Sequence, residues 1–219
     1  MQFPFAVEAE ITMVHATKFW DRRAAGYAKR PIGDEDAYRK KLQITREYLK
    51  PDMEVLELGC GTGSTAIAHA AYVKHIQATD ISSKMLEIAR RKAVAANVEN
   101  VTFEQSSFDE FAAPDQSFDA VLALNVLHLL EDREEVISRV HRLLKPGGVF
   151  VSNTACLANS MNIFRVIAPV GKFLGLLPSV KVFTTHELVE SLTGAGFEIA
   201  HQSEPAKAMA VFIVARRAG

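Results

Sequence analysis

Val55-Leu56-Glu57-Leu58-Gly59-Cys60-Gly61-Thr62-Gly63-Ser64 reads as a strand that runs into a glycine turn and out into a helix. Val55, Leu56 and Leu58 are apolar residues of the kind that fill a buried parallel strand. Three alternating glycines follow. Glycine accepts positive φ and has no Cβ, so the chain can turn sharply and lie against a ligand. Ser64 and Thr65 are candidate caps for the next helix. The first amides of that helix have no intrahelical partners, and its positive end faces the turn. The result is a cradle of nucleotide size. Its spacing is Gly-x-Gly-x-Gly, not the Gly-x-Gly-x-x-Gly of the dinucleotide fingerprint.

Glu57 stands two positions before the first glycine. A carboxylate there disfavours a pyrophosphate, because like charges would face each other, and suits a ligand with a cationic group. S-adenosylmethionine carries a sulfonium and an ammonium. Glu57-Leu58-Gly59-Cys60-Gly61-Thr62-Gly63 resembles the first motif of the class I S-adenosylmethionine-dependent methyltransferases. Asp80 lies about 20 positions beyond the first glycine, at the end of the strand read over 73–79, where a carboxylate can accept both ribose hydroxyls. Such a ribose occurs in adenosylmethionine and in NAD, so Asp80 alone supports a nucleoside and does not choose; a helix cap is the plain structural alternative.

The composition sets bounds. At 219 residues the chain fits one domain with a sizeable core. With 48% apolar and 23% charged residues and a net charge of −1, it reads as a globular chain without the basic excess of a nucleic-acid binder. Cys60 and Cys156 lack metal-type spacing, and no metal is expected. No secretory pattern or membrane-length apolar run is present, so the expected address is cytoplasmic.

Around the cradle the sequence predicts an arm over 15–30 with Phe19, Trp20 and Tyr27, and a helix over 34–49 capped by Asp34. A third helix spans 82–96. Strands follow at 101–105, 120–124 and 149–153. Asn125 ends the fourth strand, so Asn125 to His128 falls on the side where open α/β sheets bind ligands. His128 is the candidate general base, since an ordinary imidazole titrates near neutrality, with shaping of the pocket as its alternative role. His186 is a second candidate, and His141 reads as a surface residue. Asp132 with Glu135, and Thr184 with Glu187, form helix-start signatures. The apolar stretch 155–183 reads as a lid over a partly hydrophobic substrate, a cover for the sheet or a dimer contact. Residues 197–203 and 208–215 predict a closing antiparallel hairpin.

Further resemblances lie at Ser117-Phe118-Asp119-Ala120-Val121, at Leu143-Leu144-Lys145-Pro146-Gly147-Gly148 and at Ala195-Gly196-Phe197. The family resemblance covers residues 45–217 and implies an α/β, Rossmann-like sheet of seven mostly parallel strands with helices on both faces. It implies one methyltransferase domain: a helical cap over 1–50, a cofactor half over 51–154, the insertion over 155–183, and a closing helix and hairpin over 184–219. It implies S-adenosyl-L-methionine as cofactor, held by Glu57, Gly59, Cys60, Gly61, Gly63, Asp80, Ile81, Ser107, Phe108 and Asn125, with Tyr27 near the methyl donor and Asp119 structural. Relatives carry aspartate for the adenine amine where this chain has Ser107; the Phe108 amide can serve the ring, and Asp109 is a substitute carboxylate. The expected reaction is direct methyl displacement onto a small acceptor, as in the quinone-biosynthesis group. A silent adenosylmethionine binder and an NAD(P)-dependent oxidoreductase are the alternatives.

Overall fold

The computed structural model describes residues 4–130, 132–156, 181–203 and 210–219. Seven strands form one sheet: β1 (Glu54–Leu58), β2 (His75–Asp80), β3 (Val101–Gln105), β4 (Phe118–Leu124), β5 (Leu144–Ala155), β6 (Phe197–Gln202) and β7 (Ala210–Arg217). Their spatial order is β3-β2-β1-β4-β5-β7-β6. The first five are parallel neighbours. β7 runs antiparallel between β5 and β6. The expected hairpin therefore supplies an interior strand as well as the edge.

Helices α1 (Pro4–Ala28), α2 (Glu35–Arg46), α3 (Ser64–His69), α4 (Ser83–Ala95), α5 (Arg133–Leu143) and α6 (Thr185–Gly194) surround the sheet. The strand pleat sorts the core into two faces. Leu56, Leu58, Val121, Phe150 and Ile213 meet α5 and α6 through Val136, Ile137, Val140, Leu188 and Leu192. Val55, Ala120, Leu122, Val151 and Val214 meet α3 and α4 through Ala66, Leu86 and Ala89 on the other face. β1 is buried on both faces, which is why its sequence is apolar at every position but Glu54 and Glu57.

The helix starts follow the sequence signals. Asp34, Ser82 and Asp132 each accept an N–H from the residue three positions on. Thr184 and Glu187 close a reciprocal capping box. α3 differs from expectation. Its cap is Gly63 in the left-handed conformation, with no side-chain bond, and the Ser64 hydroxyl instead accepts from Lys92 Nζ at 3.0 Å. The predicted arm over 15–30 is the second half of a 25-residue helix, since no glycine or proline interrupts the chain between Phe5 and Ala25. β5 pairs from Leu144 rather than from Val149, with a register shift opposite Phe118 to Ala120. His141 is not merely a surface residue: its ring meets Phe197 edge-on at 5.0 Å. The stretch 155–183, expected as a lid, cover or dimer contact, lies outside the described residues over 157–180.

Candidate functional site

The chain leaves β1 for β2 and β3 on one side, then crosses back to β4 on the other. The carboxyl ends of β1 and β4 therefore flank a switch point, where a crevice opens in sheets of this kind. Gly59, Gly61 and Gly63 sit there with φ of 63°, 54° and 72°. Each is needed for a different reason. A Cβ on Gly59 lands 2.7 Å from the Val126 side chain, and one on Gly63 lands 2.8 Å from Ala89 Cβ and 2.9 Å from the Phe103 ring. At Gly61 a Cβ meets nothing within 4 Å. Gly59 and Gly63 are fixed by protein packing; Gly61 faces the open side of the turn. Cys60 donates its N–H to Thr79 O at 2.9 Å, tying the turn to β2. Burial pushes the Cys60 thiol up strongly, with Glu57 and Asp80 adding to the effect.

Two carboxylates share this turn on unequal terms. Asp80 Oδ2 accepts from the Gly61 amide and Oδ1 from the Ser82 amide, both at 2.8 Å. Burial still raises its pKa, opposed by those two hydrogen bonds. Glu57 is only 3% exposed, and its Oε2 is buried without a partner. Burial first, then the Asp80 charge, pushes its carboxyl up to about 8. An orphaned carboxylate oxygen beside an open glycine fits a cationic group. Tyr38 of α2, which the sequence reading missed, belongs to the same cluster. Burial raises its phenol, which is hydrogen-bonded with Thr65 and feels the Glu57 charge. Tyr27 lies on the rim, 44% exposed, edge-on to Trp20 at 6.3 Å.

On the other side of Asp80 a cavity of about 450 Å³ opens between α1 and the ends of β2 and β3. Val14, Lys18 and Asp21 of α1 line it, together with Ile81, Ser107 and Glu110. Asp21 holds α1 in place: Oδ1 accepts from Ser82 Oγ at 2.6 Å and from the Lys84 amide at 3.3 Å. Ser107 is committed elsewhere than expected. Its hydroxyl donates to Glu110 Oε2 at 2.9 Å and accepts from the Glu110 amide at 3.1 Å. Phe108 packs against the core, under the Arg139 guanidinium at 4.8 Å. Asp109 is exposed and does not line the cavity.

At the end of β4, Asn125 takes a left-handed φ of 61°. Such backbone costs about 1–3 kcal/mol and persists where neighbours enforce it. Here the Asn125 amide donates to Asn153 O at 2.7 Å, and Asn153 Nδ2 donates to Asn125 Oδ1 at 2.6 Å. His128 follows in a short 3-10 turn over Leu127–Leu129, with Nδ1 buried and unpartnered. Burial lowers its pKa, so the imidazole is neutral at pH 7. His186 is a correction. It stands on the exposed face of α6, 3.3 Å from Glu190, because its place one residue into that helix points it outward. Asp119 is structural as expected: it accepts from the Glu54 amide and from Lys145 Nζ, both at 2.8 Å.

Residues 55–148 match the family model of a methyltransferase domain. That match runs from β1 into β5. It is 33% identical over 110 residues to the uncharacterized methyltransferase YcgJ of Bacillus subtilis, covering 50% of this chain and 44% of that one. The crystal structure of YcgJ superposes with a TM-score of 0.69 at 17% identity, over 83% of this chain and 99% of that one. The chain is 40% identical over 102 residues to the 27-O-demethylrifamycin SV methyltransferase of Amycolatopsis mediterranei, covering 46% and 38%. It is 34% identical over 134 residues to the demethylmenaquinone methyltransferase of Listeria monocytogenes, covering 54% and 55%. The domain thus spans about half the length of the curated relatives it matches. Among the described residues no helix is long and apolar enough to cross a membrane, and no three metal-ligand side chains come together.

Proposed function

We propose that the chain transfers a methyl group from S-adenosyl-L-methionine to a small, partly hydrophobic acceptor in the cytoplasm. The observation that carries this reading is the Glu57 carboxyl, 3% exposed with an orphaned oxygen, beside a glycine that faces open space. In this reading Glu57 balances the positive charge of the ligand. Asp80, already oriented by the Gly61 and Ser82 amides, accepts the ribose hydroxyls. Ile81 lies under the base. When bound, the donor supplies a methyl group already activated on sulfur, so the protein's work is alignment and exclusion of water, which orientation alone can make worth up to about 7–11 kcal/mol.

The residues after β4 face the acceptor. Asn125 is held rigid by Asn153, and His128 is neutral and able to take a proton from an acceptor O–H. Two relatives are named as methyltransferases of demethylmenaquinone and of 27-O-demethylrifamycin SV. Those names favour a small, partly hydrophobic acceptor here.

The test is calorimetric titration with S-adenosylmethionine, S-adenosylhomocysteine and NAD, followed by turnover to S-adenosylhomocysteine over a panel of phenols and quinones. Micromolar binding of the first two, with turnover on at least one acceptor that is lost in Asp80→Ala, is the expected result. Binding of NAD alone overturns the reading; tight binding without turnover on any acceptor favours a silent binder.

A further inference from the structure

The charge of the chain is unevenly placed. Lys18, Arg22, Arg23, Lys29 and Arg30 fall between residues 11 and 33, with Asp21 the only acid in that span. The span therefore carries +4, which leaves −5 for the rest of a chain whose net charge is −1.

The fold turns this imbalance into a face. Ala24 of α1 is buried, and Asp21 accepts from the Ser82 hydroxyl and the Lys84 amide. The one acid of the span is thus spent inward, against the start of α4. All five cations are exposed, and no carboxylate among the described residues pairs with any of them. Lys18, Arg22 and Lys29 stand four and seven positions apart, and so fall on one stripe; Arg23 and Arg30 repeat seven apart beside it. Lys29 and Arg30 belong to the turn that closes α1, with their amides donating to Gly26 O at 3.3 Å and Tyr27 O at 3.1 Å. The acids that follow are engaged elsewhere: Asp34 accepts from the Ala37 amide, and Glu35 and Asp36 pair with Arg39.

Apolar side chains share the face. Of the five large ones exposed among the described residues, Val14, Tyr27 and Ile32 lie in this span. Phe19 and Trp20 are half-buried, and the Arg23 guanidinium lies 3.6 Å from the centre of the Phe19 ring. Cations interleaved with aromatic and aliphatic groups are what a helix lying on a lipid surface presents. The long basic stems reach phosphates while the rings settle among the headgroups. A nucleic acid wants open ring faces on which to stack its bases. Here Arg23 covers Phe19, and Trp20 is edge-on to Phe19 at 5.3 Å and to Tyr27 at 6.3 Å.

We propose that the outer face of α1, with its closing turn, docks on an anionic lipid surface. The helix lies on that surface and does not cross it, being too short of apolar residues to span. The inference goes beyond the methyl-transfer reading and does not depend on it.

Trp20 is the only tryptophan of the chain, so its fluorescence reports on this helix alone. The probes are vesicles of phosphatidylcholine, with or without about one third phosphatidylglycerol. The protein binds the anionic vesicles about tenfold or more tightly than the neutral ones, and added salt weakens the binding. On binding, Trp20 emission moves to shorter wavelength and is shielded from acrylamide. Arg22→Ala loses about fivefold, and the triple variant Arg22→Glu, Lys29→Glu, Arg30→Glu about 100-fold or more. The triple variant Lys40→Glu, Lys50→Glu, Arg216→Glu has the same net charge and changes equally exposed residues; it stays within about threefold of wild type. Equal binding to both vesicle types, equal loss in the two triple variants, or binding without a Trp20 shift overturns the inference. Tighter binding to a single-stranded oligoribonucleotide than to anionic vesicles also overturns it, and assigns the face to nucleic acid.

Discussion

Glu57 makes cofactor uptake a proton-releasing reaction. Its carboxyl is held near 8 in the free protein by burial and by Asp80. At pH 7 roughly nine in ten molecules therefore carry the proton, since one unit below a pKa leaves about a tenth ionised. A cation placed against the orphaned Oε2 favours the ionised form and expels that proton. Affinity for S-adenosylhomocysteine, which keeps the ammonium, then rises about tenfold per pH unit from 6 to 7, or about 1.4 kcal/mol per unit, and levels off above the Glu57 pKa. Calorimetry in buffers of different ionisation enthalpy counts the protons directly, and about 0.9 per site is expected at pH 7. The ligand amine titrates too, so the quantity to read is the difference between wild type and Glu57→Gln. That difference in affinity is small at pH 6 and greatest above pH 8. Identical pH profiles and identical proton release in the two proteins refute the argument, because Glu57 is then either ionised beforehand or untouched by the ligand.

Gly61 and Gly63 fail in different ways when given a Cβ. Gly61→Ala folds with a penalty of about 1–2 kcal/mol for left-handed backbone and loses affinity, since its methyl projects into the open cradle. Gly63→Ala adds a clash with Ala89 and Phe103, so its Tm falls at least twice as far; calorimetric melts and a ligand titration separate the two, and the reverse ranking in Tm contradicts the packing argument. The second pair of opposed effects concerns pH. His69 is fully buried with both ring nitrogens unpartnered, and burial, then Arg46, lowers its pKa from 6.5 to about 4. The unfolded chain takes up a proton that the native state refuses, so stability falls as pH drops from 6.5 towards 4, by up to about 3 kcal/mol. Glu57 acts in the other sense: the native state keeps a proton that the unfolded chain releases, and this stabilisation is lost as pH rises from 4.5 to about 8. The two slopes nearly cancel between pH 4.5 and 6.5. Denaturant melts at pH 5 and pH 6 are therefore closely matched in wild type, whereas Glu57→Gln gains stability over that step. An equally steep rise in wild type shows that the cancellation is absent.

The fold was legible because its signals are local. Val55 to Ser64 names a strand, a turn and a helix within ten residues, and Asp34, Ser82, Asp132 and Thr184 mark helix starts through side chains within reach of the next turn. The cradle was legible for the same reason, as Glu57 and the glycines are contiguous. What escaped depended on contacts between distant segments. Tyr38 is one tyrosine on an amphipathic helix until tertiary packing brings it to Thr65 and Glu57. Asp21 reaches Ser82 across 61 positions. Glu110 lines the cavity three positions beyond Ser107, and only the fold brings the two into reciprocal hydrogen bonds. His186 was misread because residue type carries no direction; its place on α6 points it to solvent. The start of α1 at Pro4 was hidden as well, since helix length follows from uninterrupted propensity rather than from any marker within 15–30.

Glu57 and Asp80 illustrate why a glycine turn needs two acids with unlike surroundings. Both are carboxyls on neighbouring parallel strands, and both are drawn up in pKa by burial. If the two were equally solvated by the protein, two adjacent anions would repel and the turn would be destabilised without a ligand. Only Asp80 receives backbone amides, from Gly61 and Ser82. Those bonds favour its ionised form and fix the turn in shape before any ligand arrives. Glu57 receives none at Oε2 and answers by keeping its proton. The free protein thus avoids the second charge, and the cradle acquires it only when a cation is there to share it. Environments that push two like groups apart in pKa assign them separate tasks: here one acid maintains geometry and the other responds to charge. The arrangement also accounts for the spacing. Glu57 is on the innermost strand of the switch point, where water cannot reach it, while Asp80 sits where β2 ends and the amides of the turn and of α4 are within 2.8 Å.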